Sequence, residues 1–199
     1  MVLLLGKERM DRLQNSHVLV AGLGGVGAYA AEEICRAGVG EMTIVDADTI
    51  NESNLNRQLP ALHSTLGRMK ADVMAERLKD INPDLKLTVI KDFIRDEKTD
   101  QLLDSTHFDF VVDAIDTLSP KVFFIRACVQ RGLKLVSSMG AGAKLDPEQV
   151  KITDISKSFN CHLARMVRKK LHPLGIRSGF AVVFSGEPAD ENAIIETEG

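Results

Sequence analysis

The segment His17-Val-Leu-Val-Ala-Gly-Leu-Gly-Gly-Val-Gly27 carries the strongest structural signal in the chain. Its first five residues are apolar and rich in branched side chains, which is typical of a central parallel strand. The glycines follow at once, and a helical pattern then continues to Gly38, which is placed to end the helix. Strand, glycine turn and helix in this order predict a Rossmann-like, doubly wound α/β sheet, mostly parallel, with helices on both faces.

The glycine spacing is that of a phosphate-binding turn. Gly22 allows a tight turn, Gly24 lets the backbone approach a phosphate, and Gly27 lets the helix pack closely on the strand. The next predicted strand ends at Asp46, about twenty residues further on, where a carboxylate can accept ribose hydroxyls. The alternative for Asp46 is a strand-end or capping aspartate.

Two cations follow the second predicted strand. Arg57 can grip phosphate oxygens with its planar fork, and Lys70 can act as a point charge. A dinucleotide pyrophosphate is largely served by backbone N–H groups, so these cations favour ATP over NAD. The alternative for Lys70 is a solvated lysine, although a cation in the first turn of a helix opposes the helix dipole.

A second acidic residue, Asp116, ends the strand predicted over residues 108–115. The carboxyl ends of parallel strands meet at one crevice, so Asp116 should face the glycine loop. A carboxylate beside a triphosphate can hold Mg²⁺, which keeps phosphates and waters as its other ligands. The alternative for Asp116 is to cap the helix containing Ser119-Pro120. Asp113 is expected to serve structure.

Taken together, the motifs resemble the adenylating domain of the ThiF/MoeB/HesA superfamily, which ubiquitin-activating enzymes share. The motifs are the Gly22–Gly27 loop, Arg36-Ala-Gly-Val-Gly40, Asp46-Ala-Asp48, Asn54-Leu-Asn-Arg-Gln58, Gly67-Arg-Met-Lys70 and Ile81-Asn-Pro83. The resemblance implies a nucleotide-binding set of Gly22, Gly24, Gly25, Gly27, Asp46, Asp48, Asn54, Arg57, Gln58, Lys70, Asp116 and Thr117. It implies a catalytic set of Arg57, Lys70 and Asp116, with Asp116 as the metal ligand.

A narrower resemblance is to the tRNA threonylcarbamoyladenosine dehydratase branch, also called TcdA or CsdL. It is carried by Asp113-Ala-Ile-Asp116, Ser119-Pro-Lys121, Ser138-Met-Gly-Ala-Gly-Ala143, Asp146-Pro147 and Val150-Lys-Ile-Thr-Asp-Ile155. It implies ATP and Mg²⁺ as cofactors and a tRNA carrying threonylcarbamoyladenosine as substrate. The carboxylate of that nucleoside would be adenylated and closed into a ring with loss of water.

Other functions stay open at this point. One is adenylation of a ubiquitin-like sulfur carrier, with a carrier or sulfur-relay protein as partner; the lack of paired C-x-x-C motifs argues modestly against it. Another is a non-catalytic nucleotide-binding subunit, against which the retention of Arg57, Lys70 and Asp116 argues. An NAD-dependent dehydrogenase would need a hydride-transfer site, which the sequence does not offer.

A basic helix is predicted near residues 161–172. Arg165, Arg168, Lys169 and Lys170 form either a phosphate-contacting patch for RNA or a solvated helix face. Cys35 and Cys128 are expected to be small buried hydrophobes, and Cys161 is expected to be exposed.

Composition indicates an ordinary soluble globular protein. The 199 residues are 44% hydrophobic and 27% charged, with a net charge of −3. The few scattered cysteines favour the cytoplasm, and the lack of a long apolar run excludes a membrane span. We expect a single domain over residues 1–199, with a nucleotide-binding core over 1–145 and a C-terminal extension over 146–199 that looks incomplete. The superfamily resemblance implies a homodimer, and the helix beginning at Lys70 offers one candidate surface.

Overall fold

The computed structural model describes residues 2–94 and 97–188, which form a single mixed sheet with helices on both faces. The seven strands have the order β3-β2-β1-β4-β5-β7-β6. They are β1 His17–Ala21, β2 Glu41–Val45, β3 Lys86–Ile90, β4 Phe110–Asp113, β5 Leu135–Ser138, β6 Val150–Asp154 and β7 Ala181–Ser185. The helices are α1 Val2–Leu5, α2 Lys7–Gln14, α3 Gly27–Ala37, α4 Lys70–Ile81, α5 Glu97–Asp104, α6 Leu118–Gln130 and α7 His162–Leu171.

The strand pairing confirms the predicted doubly wound topology. Strands β1 to β5 pair in parallel, as the sequence pattern predicts. The predicted antiparallel extension is present, but only β6 is antiparallel, since β7 runs parallel to β5. The predicted extension over residues 146–199 lies partly outside the described residues.

Two apolar clusters lie on the two faces of the sheet. One packs α3 and α4 against β1 and β2, and the other packs α5, α6 and α7 against β4, β5 and β7. The apolar stripe of α4 packs into the first cluster, where Ala71, Met74 and Leu78 are fully buried and Ala75 is partly buried. The stripe is therefore core, and the expectation that it offers a dimer surface is wrong.

Strand β4 is shorter than predicted, and Asp113 explains why. The sequence predicts a strand as far as Ile115, but the strand ends at Asp113. The Asp113 carboxylate accepts the backbone N–H of Ile115 at 3.1 Å. This N–H therefore bonds to a side chain instead of to the backbone of a neighbouring strand. The chain turns there, which brings Asp116 out at the carboxyl end of the sheet.

Helix ends follow the glycine signals in the sequence. Helix α3 runs from Gly27 to Ala37 and is capped by Gly38, whose φ of 97° is the left-handed conformation that favours glycine. Within the described part of the chain, none of the helices is long and apolar enough to cross a membrane.

Candidate functional site

A cavity of about 760 Å³ opens at the carboxyl ends of the central strands. Its lining includes ten of the twelve predicted nucleotide-binding residues: Gly22, Gly24, Gly25, Asp46, Asp48, Arg57, Gln58, Lys70, Asp116 and Thr117. We call the part formed by the glycine loop, Asp46, Asp48, Arg57 and Lys70 the glycine-loop half. The part formed by Ser138–Gly142 and Leu163 is called the α7 half. Asp116 belongs to the same lining.

The two remaining predicted residues, Gly27 and Asn54, are not among the residues that line the cavity. A methyl carbon at Gly27 would lie 1.8 Å from the carbonyl oxygen of Gly22, so Gly27 is required for the loop to fold back on itself. Asn54 is buried, and its Oδ1 accepts the backbone N–H of Asn51 at 3.0 Å. Its carbonyl accepts the N–H of Arg57 and Gln58, so Asn54 shapes the turn that carries Arg57.

The glycine loop lies against two other segments. Gly22 has a φ of 89°, and a methyl carbon there would lie 2.8 Å from the carbonyl oxygen of Ala114. A methyl carbon at Gly25 would lie 3.4 Å from Cγ of Arg57. The loop therefore leaves no space for side chains at its base, and it positions its backbone beside Arg57.

Asp46 is tied to the glycine loop by two backbone hydrogen bonds. Its Oδ2 accepts the N–H of Leu23 at 2.6 Å, and its Oδ1 accepts the N–H of Asp48 at 2.8 Å. Burial raises the pKa of the Asp46 carboxyl above its usual value, and the two backbone hydrogen bonds and Lys70 act in the opposite direction. A carboxylate has about four acceptor positions, so Asp46 can accept hydroxyl donors while keeping both bonds.

Lys70 is buried and ion-paired, so the alternative of a solvated lysine is not supported. Its side chain is 7% exposed, and its Nζ lies 2.9 Å from Oδ2 of Asp48, whose side chain is 56% exposed. The backbone N–H of Lys70 also donates to the carbonyl of Asp48 at 3.0 Å. The arrangement holds a desolvated ammonium at the cavity with a counter-charge that water can still reach.

Arg57 lies on the same side of the cavity and is exposed. Its Nη1 donates to the carbonyl of Ser53 at 3.0 Å and to Oδ1 of Asn56 at 2.9 Å. These bonds fix one edge of the guanidinium, which makes Arg57 a pre-oriented cation for a planar anionic group.

Asp116 is exposed and follows the turn after β4. Its Oδ1 accepts the hydroxyl of Thr117 at 3.2 Å. Helix α6 begins at Leu118 with Thr117 as its N-cap residue, so the alternative that Asp116 caps this helix is not supported. Among the described residues, groups of three or more His, Cys, Asp or Glu able to hold a metal ion do not occur. A single carboxylate still fits Mg²⁺, which binds through one or two carboxylates plus phosphates and waters.

The α7 half was not assigned a role from the sequence. It consists of Met139 and the small residues between Ser138 and Gly142, together with Leu163 from the first turn of α7. A methyl carbon at Gly140 would lie 3.5 Å from Cβ of Leu163, so loop and helix pack closely. The motif Ser138-Met-Gly-Ala-Gly-Ala143 was visible in the sequence, but it holds no side chain whose chemistry indicates a site.

Helix α7 places three of the four predicted cations toward solvent. Arg165, Lys169 and Lys170 are exposed, whereas Ala164, Val167 and Leu171 are buried. Arg168 is different, because its Nη1 donates to the carbonyl of Ser158 at 2.9 Å and also contacts the Ser158 hydroxyl. Nη1 of Arg168 therefore holds the loop before α7, which sets Arg168 apart from the three exposed cations.

The cysteines are free and buried. Cys35 and Cys128 are core residues, as expected, and burial raises the pKa of Cys128 to about 12. Cys161 is only 5% exposed, and its Sγ lies 3.7 Å from the carbonyl oxygen of Gly140. The expectation that Cys161 is exposed is therefore wrong.

A family model, curated sequences and solved structures all show similarity of this chain to the same group of proteins. The model of the ThiF family matches residues 1–186. The tRNA threonylcarbamoyladenosine dehydratase of Bacillus subtilis (strain 168) is 44% identical over 93% of this chain and 72% of its own length. The Escherichia coli (strain K12) dehydratase is 38% identical over 90% of this chain and 65% of its own length. The crystal structure of E. coli TcdA in complex with ATP matches with a TM-score of 0.91 and 36% identity, over 96% of this chain and 81% of that chain.

Proposed function

The chain belongs to the ThiF family, and from that membership we propose that it is an ATP-dependent adenylating enzyme acting on tRNA. Its substrate would be threonylcarbamoyladenosine in tRNA, whose carboxylate is activated and then closed into a ring with loss of water. The observation that carries this proposal is the meeting of Arg57, Lys70 and Asp116 in one cavity with the glycine loop. The similarity to the dehydratases of B. subtilis and E. coli supports the choice of substrate.

The glycine-loop half suits a nucleoside triphosphate. The ribose hydroxyls would donate to Asp46, and the phosphates would lie on the backbone N–H groups of the loop and the N-terminus of α3. Arg57 and Lys70 would neutralise the phosphate charge. Lys70 would then contact a phosphate in place of, or in addition to, Asp48, whose carboxylate is exposed enough to be solvated by water. The E. coli TcdA structure is a complex with ATP, which supports this assignment.

The reaction requires positioning and charge neutralisation rather than a protein nucleophile. A carboxylate oxygen of the substrate attacks the α-phosphorus, the bond to the β-phosphate oxygen breaks, and pyrophosphate leaves. The carbamoyl group then attacks the activated carbonyl, AMP leaves with the former carboxylate oxygen, and a proton is released. Asp116 would hold Mg²⁺, which when bound supplies neutralising charge beside the phosphates.

The α7 half is the proposed entrance for the modified nucleoside. It shares the cavity lining with Asp116 and is formed by uncharged residues, which suits the less charged end of a nucleotide–substrate pair. Helix α7 starts at this half with Leu163 and carries Arg165, Lys169 and Lys170 on its solvent face. We infer that these three cations contact RNA phosphates, which would position the substrate without reading its sequence.

We extend the proposal to the organisation of the protein. The described residues would act as one adenylating domain, and the domain would function as a homodimer. Tyr29 and Phe123 support this, because each is a large aromatic side chain that is nearly half exposed, at 49% and 47%. The free, buried cysteines suit a reducing compartment, so we place the protein in the cytoplasm.

Substrate-dependent exchange of pyrophosphate into ATP tests the function directly. We expect exchange with tRNA that carries threonylcarbamoyladenosine, and none with the same tRNA lacking the modification. Exchange that required a ubiquitin-like sulfur carrier instead would make the protein a carrier adenylyltransferase. ATP binding without exchange in any of these reactions would indicate a non-catalytic nucleotide-binding subunit.

A further inference from the structure

A fully buried ion pair lies beneath the turn that carries Asp116. Lys121 of α6 and Asp113 of β4 both have 0% exposure, and Nζ of Lys121 lies 2.9 Å from Oδ2 of Asp113. The hydroxyl of Ser137, also at 0% exposure, donates to the same carboxylate oxygen at 2.6 Å. Strands β4 and β5 and helix α6 are therefore joined by one charged group.

The same network binds the peptide backbone just before Asp116. Nζ of Lys121 donates to the carbonyl of Ile115 at 2.8 Å. Oδ1 of Asp113 accepts the N–H of Ile115 at 3.1 Å. Both polar backbone groups of Ile115 are thus fixed from within the protein, and Asp116 is the next residue.

The glycine loop contacts the same turn from the other side. A methyl carbon at Gly22 would lie 2.8 Å from the carbonyl oxygen of Ala114, and one at Gly27 would lie 3.0 Å from Cβ of Ala114. The turn over residues 114–116 is therefore held between the ion pair below and the phosphate-binding loop beside it. A shift of this turn would move Asp116 relative to the loop.

Stability alone does not account for the pair. Burying two charges costs desolvation energy, and well-packed apolar residues of similar volume are often as stable or more stable. Fully buried lysines are rare. A lysine that donates a hydrogen bond to a backbone carbonyl fixes the orientation of that peptide group, which an apolar side chain cannot do.

We propose that Lys121 is a positioning residue for Asp116, acting through Asp113 and the peptide of Ile115. Its ammonium holds the turn so that the Asp116 carboxylate is fixed beside the phosphates. This inference rests on the proposed role of Asp116 in holding Mg²⁺, and it adds a group that does not touch substrate, nucleotide or metal.

The test uses the full chain with the double variant D113N/K121M, which removes both charges together and leaves neither one buried alone. We expect the Mg²⁺ concentration for half-maximal pyrophosphate exchange to rise at least tenfold. Affinity for ATP in the presence of a chelator should stay near the wild-type value, since Arg57 and Lys70 are unchanged. If the Mg²⁺ midpoint did not move in the folded variant, the proposal would be overturned.

The matched control is E32Q/R77M. Glu32 is also a buried carboxylate, at 7% exposure, and it is bonded to Arg77 and Arg36 between α3 and α4, away from Asp116. We expect this control to change stability without changing the Mg²⁺ midpoint. An equal shift of the midpoint in the control would mean that general loosening, and not the Asp116 turn, causes the effect.

A mutant cycle with D116N separates this inference from the proposed function. If Lys121 acts through Asp116, D113N/K121M should raise the Mg²⁺ midpoint in the wild type but add little in D116N; full additivity would overturn the proposal. If the double variant does not fold, S137A removes one bond to Asp113 and should shift the same midpoint by a smaller factor. Calorimetric binding of ATP with and without Mg²⁺ gives the same comparison without tRNA, so it stays informative if the substrate is a different one.

Discussion

The two halves of the cavity are lined by different kinds of chemical group. In the glycine-loop half, charged side chains are held in fixed positions: Asp46 by two backbone N–H groups, and Lys70 by Asp48. In the α7 half, the lining is backbone, small residues, Met139 and Leu163, and the nearby charged groups lie outside the cavity on the solvent face of α7. The first half is suited to bind a defined anion, and the second to admit a larger group guided from outside.

This difference matters because the two halves tolerate change differently. Side chains at the base of the glycine loop would overlap the backbone, whereas a methyl carbon at Gly142 would have no heavy atom within 4 Å. A rigid half fixes the geometry of the reacting phosphate, and an open half can accept variation in what is brought to it.

The largest expected difference in stability is between two single glycine-to-alanine variants, one in each half of the cavity. Gly27→Ala would put carbon 1.8 Å from the Gly22 oxygen, so we expect a loss of about 3 kcal/mol or more in unfolding free energy and loss of ATP binding. Gly142→Ala should change the unfolding free energy by less than about 0.5 kcal/mol. Urea unfolding and calorimetry measure both. A similar cost at the two positions would contradict the comparison.

Lys70→Ala should separate the phosphate contacts from the rest of the glycine-loop half. We expect ATP affinity to fall about 10- to 100-fold, because the variant lacks one charge-assisted hydrogen bond worth roughly 1.5–3 kcal/mol. Adenosine affinity should change little, since adenosine has no phosphate. Arg68→Ala is the control, because Arg68 lies in the same segment but pairs with Glu76 on the surface. Equal losses for ATP and adenosine would mean that Lys70 acts through stability.

The cations of α7 should contribute to RNA binding and should not contribute to nucleotide binding. Arg165→Gln with Lys169→Gln should raise KM for the modified tRNA about 3- to 30-fold, at roughly 0.3–1 kcal/mol per exposed ion pair. The slope of log affinity against log salt concentration should flatten by about 0.7–0.9 for each phosphate that the variant no longer neutralises. Lys86→Gln with Lys134→Gln removes the same charge at the amino ends of β3 and β5 and should have little effect. If both double variants behaved alike, the α7 face would be an ordinary solvated surface.

The smallest effect concerns Asp46 and pH. Because burial raises the pKa of this carboxyl in the folded protein, ionisation is less favourable there than in the unfolded chain. Its contribution to stability is full below the ordinary carboxyl pKa and declines as pH rises through the raised value. Asp46→Asn loses one backbone hydrogen bond at every pH, so the informative quantity is the slope of unfolding free energy between pH 3 and 7. We expect the wild type to lose stability relative to the variant over that range, and an unchanged difference would be the contrary result.

Much of the fold and the glycine-loop half could be predicted from the sequence, because local chemistry determines them. The strand before Gly22, the end of α3 at Gly38 and the cations at Arg57 and Lys70 each follow from residue type and spacing. The geometric assignment of roles to these residues stays a prediction. The sequence predicts a longer β4 because Ala114 and Ile115 are apolar, but the Asp113 carboxylate accepts the N–H of Ile115 and the strand ends at Asp113.

The remainder depends on tertiary contacts that residue type does not reveal. Lys121 looks like an ordinary helix lysine until the fold brings it to Asp113. Arg168 stands among cations in the sequence, but it follows Ala164 by four residues and so lies at the border of the buried stripe, where it reaches Ser158. The α7 half is missed because backbone and uncharged side chains line it.

The contact between Gly27 and Ala114 also constrains how the sequence can diverge. A methyl carbon at position 27 would lie 3.0 Å from Cβ of Ala114, and one at position 22 would lie 2.8 Å from the Ala114 carbonyl oxygen. A side chain at position 27 would meet the side chain of residue 114, and one at position 22 would meet the backbone of residue 114 whatever its side chain. We therefore expect glycine at positions 22 and 27 in homologues that keep this turn, although 86 residues lie between positions 27 and 114 along the chain.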